Sequence, residues 1–237
     1  MAFYDTQKKL KAITFSFDDG VTQDFQLVHL LNKYGLKCTF NINSELLAKR
    51  GVLTRPDGKK ISHYKIHPEE MKWLYAGHEV AAHTLTHPRL TDLDEQEIIR
   101  QVEQDRVNLS EMMGYDVVGL AYPCGGVNND DRVAEIIKNN TGIKYARTIS
   151  YTDEFDMPEN IYRIDTNASL IAQPDRALQM AEKFINMKTD KPQVLYFWGH
   201  SYELDLQNDS LLKLEKIFEY ISGRDDIFYG TNKEVFL

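Results

Sequence analysis

The clearest pattern of hydrophobic and polar residues lies close to the N-terminal end of the chain. Between 12 and 17, apolar residues alternate with small or polar ones, which is the two-residue period of a β-strand. The run ends in Asp18, Asp19 and Gly20, where the glycine favours a backbone turn. Neighbouring strand residues point to opposite faces, so we expect the two carboxylates to serve different tasks at the strand end.

Predicted strands and helices alternate along the rest of the chain. Further strands are expected at 37–43, 78–82, 117–123, 144–149, 161–165, 193–200 and 227–229. Helices are expected at 25–34, 68–76, 95–113, 130–140, 174–187 and 211–221. Segment 51–67 carries a turn at Asp57-Gly58 and scattered charge, which is typical of a surface excursion. The alternation predicts a mostly parallel α/β fold, and the lack of an interdomain linker predicts one domain over 1–237.

Residues that could carry chemistry follow the ends of the predicted strands. They are Asp18 and Asp19, the pair His83 and His87, the turn at Pro123, and His200. In an α/β barrel the carboxyl ends of the strands form the face on which active sites are built. We therefore expect these residues to meet at one face of a barrel.

The histidine pair has the spacing of metal ligands. His83 and His87 are four residues apart, so both imidazoles can reach one ion, and Asp19 would add a carboxylate. Such a site suits catalytic zinc, and its geometry also suits cobalt, nickel, iron or manganese. The glutamate of the helical zinc-protease motif is missing between the two histidines, which excludes that class.

Composition narrows the choice of partners. A hydrophobic content of 42% and a charged content of 27% are ordinary for a globular protein. The net charge of -8 argues against nucleic acid or an anionic membrane and favours a neutral substrate. Cys38 and Cys124 are expected to be free thiols. The first eleven residues lack the apolar core of a signal peptide, so a cytoplasmic location is expected.

With these residues identified, the chain resembles the polysaccharide deacetylase family, also called the NodB-homology group or carbohydrate esterase family four. The first family motif appears as Thr14-Phe15-Ser16-Phe17-Asp18-Asp19-Gly20 and the second as His83-Thr84-Leu85-Thr86-His87. The resemblance implies a distorted (β/α) barrel of seven strands. It also implies that Asp18 is the catalytic base, while Asp19, His83 and His87 bind the metal.

The remaining family motifs are altered. The third lacks its arginine and ends in Pro123-Cys124, so the resemblance assigns the oxyanion donor to the Cys124 backbone N–H, and we expect Arg147 to orient Asp18 instead. The fourth motif is absent, which leaves Asp165 as the candidate to orient the catalytic histidine. The fifth motif appears as Phe197-Trp198-Gly199-His200, and it makes His200 the general acid.

Together these features predict metal-dependent removal of N-acetyl groups from a small-molecule or oligosaccharide substrate, with Tyr122 and Trp198 as walls for a sugar ring. Alternatives are an O-acetyl carbohydrate esterase and a cyclic-amide or ureide hydrolase of the same fold. A silent saccharide-binding module and a ferrous oxygenase are further alternatives from other classes. Glu203 and Asp205 are expected in a charged loop. No role is expected for the remaining histidines, which are His29, His63, His67 and His78.

Overall fold

The computed structural model describes residues 3–4, 8–55 and 57–237. Pro56, in the expected excursion, and residues 1–2 and 5–7, in the segment considered for a signal peptide, lie outside the described residues. No helix in the described part of the chain is long and apolar enough to cross a bilayer.

Strands and helices alternate as the pattern predicted. The strands are β1 Lys11–Asp18, β2 Thr39–Ile42, β3 Val52–Thr54, β4 Lys60–Ser62, β5 Glu79–Ala82, β6 Gly119–Ala121, β7 Tyr145–Tyr151, β8 Ile164–Thr166, β9 Ala168–Ser169, β10 Gln193–His200 and β11 Ile227–Tyr229. The helices are α1 Asp24–Lys33, α2 Met71–Leu74, α3 Glu95–Ile99, α4 Asp105–Met113, α5 Asp131–Asn140, α6 Pro174–Asn186, α7 Ser210–Ile221 and α8 Asn232–Phe236.

Nine parallel strands form one sheet in the order β8-β7-β6-β5-β2-β1-β10-β9, with β11 also pairing with β1. The two end strands, β8 and β9, are separated by a single residue, Asn167, so the sheet curls into a nearly closed barrel. The α/β barrel fold is confirmed. In the part of the chain that the structure describes, the sheet has nine strands rather than seven, because β9 pairs beside β10 and β11 pairs beside β1.

Every residue of β1 is buried, on both faces of the strand. Phe15 points outward into the layer between sheet and helices, where its ring packs against Phe197 and Phe218. The polar residues between the aromatics point into the barrel, where Thr14 Oγ1 donates to the carbonyl of Gly230 at 2.9 Å. The alternation in the sequence thus separates the barrel interior from the helix-covered face, because both sides of a barrel strand are buried.

The segment expected as a surface excursion contains the antiparallel hairpin of β3 and β4. One side is joined to the end of β1, where Ile66 N donates to Gly20 O at 3.0 Å. The other side is joined to the segment after β10, where Lys59 Nζ donates to Asp205 O at 2.9 Å. The excursion lies mostly at the surface, as expected, but it is an ordered hairpin that bridges two sides of the barrel mouth, and the segment after it buries Ile66.

Three further differences concern element boundaries. The helix expected at 95–113 is divided by a π-helical turn, Arg100–Gln104, which joins α3 to α4. Asp94 caps α3 by accepting from Glu97 N at 2.9 Å, as its position before the helix predicts. The strand expected at 161–165 begins only at Ile164, and α8 was not expected because five residues give too little periodic signal.

Gly119 provides a test of the packing inside the barrel. A Cβ at this position would overlap the phenol of Tyr145, whereas a Cβ at Gly125 meets no atom within 4 Å. We expect Gly119→Ala to lower the free energy of unfolding by about 1–3 kcal/mol through overpacking. Gly125→Ala should stay within about 1 kcal/mol of the parent. Urea denaturation of both variants measures the difference, and equal stabilities would contradict the packing described here.

Candidate active site

The side chains that the sequence analysis expected to carry chemistry lie at the carboxyl ends of parallel strands. Asp18 ends β1 and pairs in register with His200, the last residue of β10, while His83 directly follows β5. Parallel strands end at the same edge of a barrel, so residues distant in sequence meet there. Asp19 and His87 have left-handed backbone angles, with φ of 84° and 63°. Such angles are uncommon outside glycine and concentrate at functional sites.

Asp18 is buried and held by several hydrogen bonds. Its two carboxylate oxygens accept from Arg147 Nη2 at 2.6 and 2.5 Å, and Oδ1 also accepts from Asn41 Nδ2 at 2.8 Å. The Arg147 guanidinium lies 4.7 Å from the ring centre of Trp198. Burial raises the pKa of Asp18, but the charges of Arg147 and the neighbouring histidines outweigh burial and lower this pKa overall. The carboxylate is therefore ionised at neutral pH.

Asp19, His83 and His87 form a cluster whose ligand atoms all lie within 4.8 Å of one another. His83 Nδ1 donates to the carbonyl oxygen of Ala121 at 2.8 Å, which leaves the lone pair on Nε2. Burial lowers the pKa of His83 to about 4 and also lowers the pKa of His87, so both imidazoles are neutral at pH 7. Two neutral imidazoles and one carboxylate are the donor set of many catalytic zinc sites, so these residues fit a divalent cation.

The carboxylate of Asp19 has two partners that the sequence analysis did not single out. Lys65 Nζ donates to Asp19 Oδ1 at 3.1 Å and to the Asp19 carbonyl at 2.7 Å. His63 Nε2 lies 3.2 Å from Asp19 Oδ2, so the expectation that His63 has no role is wrong. Burial raises the pKa of Asp19, but the His63 hydrogen bond and the Lys65 charge hold this pKa well below its ordinary value. The sequence feature that could have identified these two partners is the spacing of two residues between His63 and Lys65, which puts both side chains on one face of an extended chain.

His200 is oriented by a neighbour in sequence. Its Nδ1 donates to Glu203 Oε1 at 3.2 Å, and Glu203 lies in the short 3₁₀ helix Ser201–Asp205 rather than in an irregular charged loop. Asp165 instead accepts from Thr148 Oγ1 at 2.5 Å, so the expectation that Asp165 orients His200 is wrong. Burial lowers the pKa of His200, but the Glu203 hydrogen bond and the nearby carboxylate charges outweigh burial and raise this pKa overall.

These groups surround a cleft of about 460 Å³. Tyr122 is buried with its hydroxyl donating to the Tyr162 carbonyl at 2.9 Å, so only part of its ring borders the cleft. Cys124 Sγ lies 3.7 Å from His87 Nδ1, and both cysteines of the chain are free thiols. The site residues expected from the sequence line this cleft except Arg147, which lies behind Asp18, and Asp165, which lies outside it. Apolar walls are added by Leu46, Leu53 and Ile149.

The comparison with family models gives one match that covers more than half of the chain. The model for Polysaccharide deacetylase matches residues 5–146. The chain belongs to the polysaccharide deacetylase family. The matched range of this deacetylase-family chain includes the Asp18-Asp19 pair and both histidines of the cluster, and it ends just before Arg147.

Similar proteins share parts of this chain. Peptidoglycan-N-acetylglucosamine deacetylase PgdA from Listeria monocytogenes is 27% identical over 133 residues, covering 55% of this chain and 24% of the relative. The chain thus spans about a quarter of the length of that relative. A family 4 carbohydrate esterase from Streptomyces lividans has a TM-score of 0.59 at 16% identity, covering 92% of this chain and 91% of that one. Puue allantoinase has a TM-score of 0.72 at 10% identity, covering 99% and 92%. At these identities the two structures share the fold.

The contact between His200 and Glu203 can be tested by titration. We expect Glu203→Gln to lower the pKa of His200, because the variant loses the charge that offsets burial. The measurement is the pH dependence of the imidazole NMR signals, assigned with a His200→Gln sample. Asp205→Asn is the control, since it removes a carboxylate from the same 3₁₀ helix. An unchanged His200 pKa in Glu203→Gln would contradict the assignment.

Proposed function

We propose that this chain is a metal-dependent hydrolase that removes N-acetyl groups from a carbohydrate. The observation that carries the proposal is the cluster of Asp19, His83 and His87 next to Asp18 and His200 in one cleft. Zinc is the favoured ion, and cobalt, nickel, iron and manganese suit the same donor set. The family supports deacetylase chemistry, and the cluster supports its dependence on a metal.

The metal-ligand cluster and the proposed base have different parts in the first step, the attack of water on the acetyl carbonyl. A divalent cation held by Asp19, His83 and His87 would polarise the acetyl carbonyl and lower the pKa of a water molecule. Asp18 accepts the proton of the attacking water, since Arg147 keeps its carboxylate ionised. The two adjacent aspartates thereby have separate tasks.

Charge and proton donors complete the reaction. As the water attacks the acetyl carbon, the acetyl oxygen becomes negative, and the backbone N–H of Cys124 donates to it. The bond between the acetyl carbon and the nitrogen then breaks as His200 donates its proton to the departing nitrogen, and the raised pKa of His200 favours the protonated form that this step needs. Glu203 holds the ring in place through Nδ1, which leaves the Nε2 proton for transfer.

Trp198 supports a sugar as the substrate. It lines the cleft and is partly exposed, and flat aromatic surfaces pack well against the apolar faces of sugar rings. Tyr122, expected as a second wall, is 1% exposed, so its ring offers little surface to a sugar. The name of the PgdA relative, which refers to N-acetylglucosamine in peptidoglycan, agrees with an N-acetylated sugar. The net charge of -8 further favours a neutral saccharide over a polyanion.

Acetate release tests the proposal directly. Protein loaded with zinc is incubated separately with N-acetylglucosamine oligosaccharides, an O-acetylated oligosaccharide and a cyclic ureide. We expect acetate from the first substrate, at a rate that falls to background when the protein is treated with a chelator. Faster acetate release from the O-acetylated sugar would instead identify an esterase. Ring opening of a ureide releases no acetate, so it is followed as loss of the intact ring compound, and turnover of the ureide alone would identify a ring-opening hydrolase.

Because Asp18 is the proposed base and His87 a proposed metal ligand, their substitutions should affect activity and metal content differently. Asp18→Asn should retain the metal and lose activity by about 10²-fold or more, because the proton acceptor is gone. His87→Ala should lose the metal itself, because one of three ligands is removed. Elemental analysis after gel filtration, with acetate release on the same samples, measures both. Equal metal loss in the two variants would refute the assignment.

A further inference from the structure

A buried lysine lies against one member of the metal-ligand cluster. The side chain of Lys65 is 5% exposed, and its Nζ donates to the carboxylate of Asp19 at 3.1 Å. A second hydrogen bond, 2.7 Å long, joins the same Nζ to the Asp19 carbonyl. Among the described residues, Asp19 supplies the only carboxylate of the proposed cation site, and the ammonium group of Lys65 is held beside it.

The backbone around Lys65 holds this position. Lys65 forms an antiparallel bridge with Val21, directly after the Asp19-Gly20 turn. Next to the bridge, Thr22 N donates to the Tyr64 carbonyl at 2.8 Å. The segment after β4 is therefore joined to the end of β1 on both sides of Lys65. A lysine on a freely moving loop could turn into solvent, whereas this one has its main chain fixed.

The buried charges around the cluster are already paired before a cation enters. Asp18 is matched by Arg147 at 2.5 Å and Asp19 by Lys65 at 3.1 Å. A divalent cation bound at Asp19 therefore adds positive charge next to an ammonium group in a poorly screened interior. Repulsion between buried charges is strong because little water or salt separates them.

We propose that Lys65 lowers the affinity of the Asp19–His83–His87 cluster for divalent cations, so that the metal is held loosely and exchanges readily. The inference rests on the proposed function, since it concerns the same cluster. Lys65 has two opposing effects on cation binding. As a hydrogen-bond donor Lys65 orients Asp19 and favours binding, but as a cation it opposes binding. The charge effect is the larger one, because a single hydrogen bond contributes modestly to net stability.

His63 offers the matched comparison within the same hairpin. Its Nε2 contacts the other oxygen of the same carboxylate, Asp19 Oδ2, at 3.2 Å. A substitution of His63 removes this contact with Asp19 and leaves the charge of Lys65 in place. The two partners of Asp19 thus predict opposite effects on cation affinity, which a merely structural role for both would not produce.

The test measures metal affinity without a substrate. Metal-free protein at pH 8 is titrated with Zn²⁺ in competition with a chromophoric chelator. We expect Lys65→Met to bind Zn²⁺ about tenfold more tightly than the parent chain, and Lys65→Gln, which keeps an N–H donor, to do the same. His63→Ala should bind several-fold more weakly. Thermal unfolding and circular dichroism establish that each variant is folded.

The outcomes separate this inference from the proposed function. Unchanged or weaker Zn²⁺ binding in the folded Lys65 variants overturns the inference, provided that the parent chain binds Zn²⁺ and His87→Ala does not. Equal Zn²⁺ binding by the parent chain and His87→Ala would overturn the proposed metal site itself. If Lys65→Met fails to fold, Lys65→Gln decides the question alone, since it preserves a polar group at the position.

Discussion

A buried ion pair crosses the mouth of the barrel from β1 to β7. Asp18 and Arg147 are 129 residues apart in sequence, and three strands lie between theirs in the sheet order. Both side chains are almost completely buried, so removing either one would leave an uncompensated charge in the interior. The curvature that brings these strands face to face therefore also keeps the proposed base ionised. The architecture of the sheet and the electrostatics of the cleft depend on each other.

Much of the fold and part of the site follow from local sequence. The alternation at 12–17, the two aspartates after it and the spacing of His83 and His87 are short-range patterns with a direct physical meaning. They predict strand ends and ligand pairs without knowledge of the rest of the chain. The barrel follows in turn from the regular alternation of strands and helices, because parallel strands need crossover connections.

The side chains that surround the proposed ligands and the proposed acid were harder to predict. The contact between Arg147 and Asp18 was expected, and the structure contains it, but its bidentate geometry depends on how far the sheet curls, which no local pattern records. Glu203 was close to His200 in sequence, yet only a 3₁₀ turn brings its carboxylate back onto the imidazole. An irregular connection with the same residues would leave Glu203 in solvent. Predicting supporting residues of this kind requires the tertiary geometry, whereas the proposed ligands can be predicted from residue type and spacing.

The hairpin of β3 and β4 combines two regions with different freedom. The segment after β4 is tied to the end of β1 by the bond at Ile66, and both sides of the turn are tied down, because Arg55 and Lys59 donate to the carbonyls of Leu206 and Asp205. The tip of the turn, Asp57-Gly58, is exposed. The length and composition of an exposed turn change easily in evolution, because few buried contacts restrain them. A lineage could therefore lengthen or shorten this tip while the residues around the proposed metal site remain in place. The outer edge of the hairpin would then diversify independently of the buried side chains at its base.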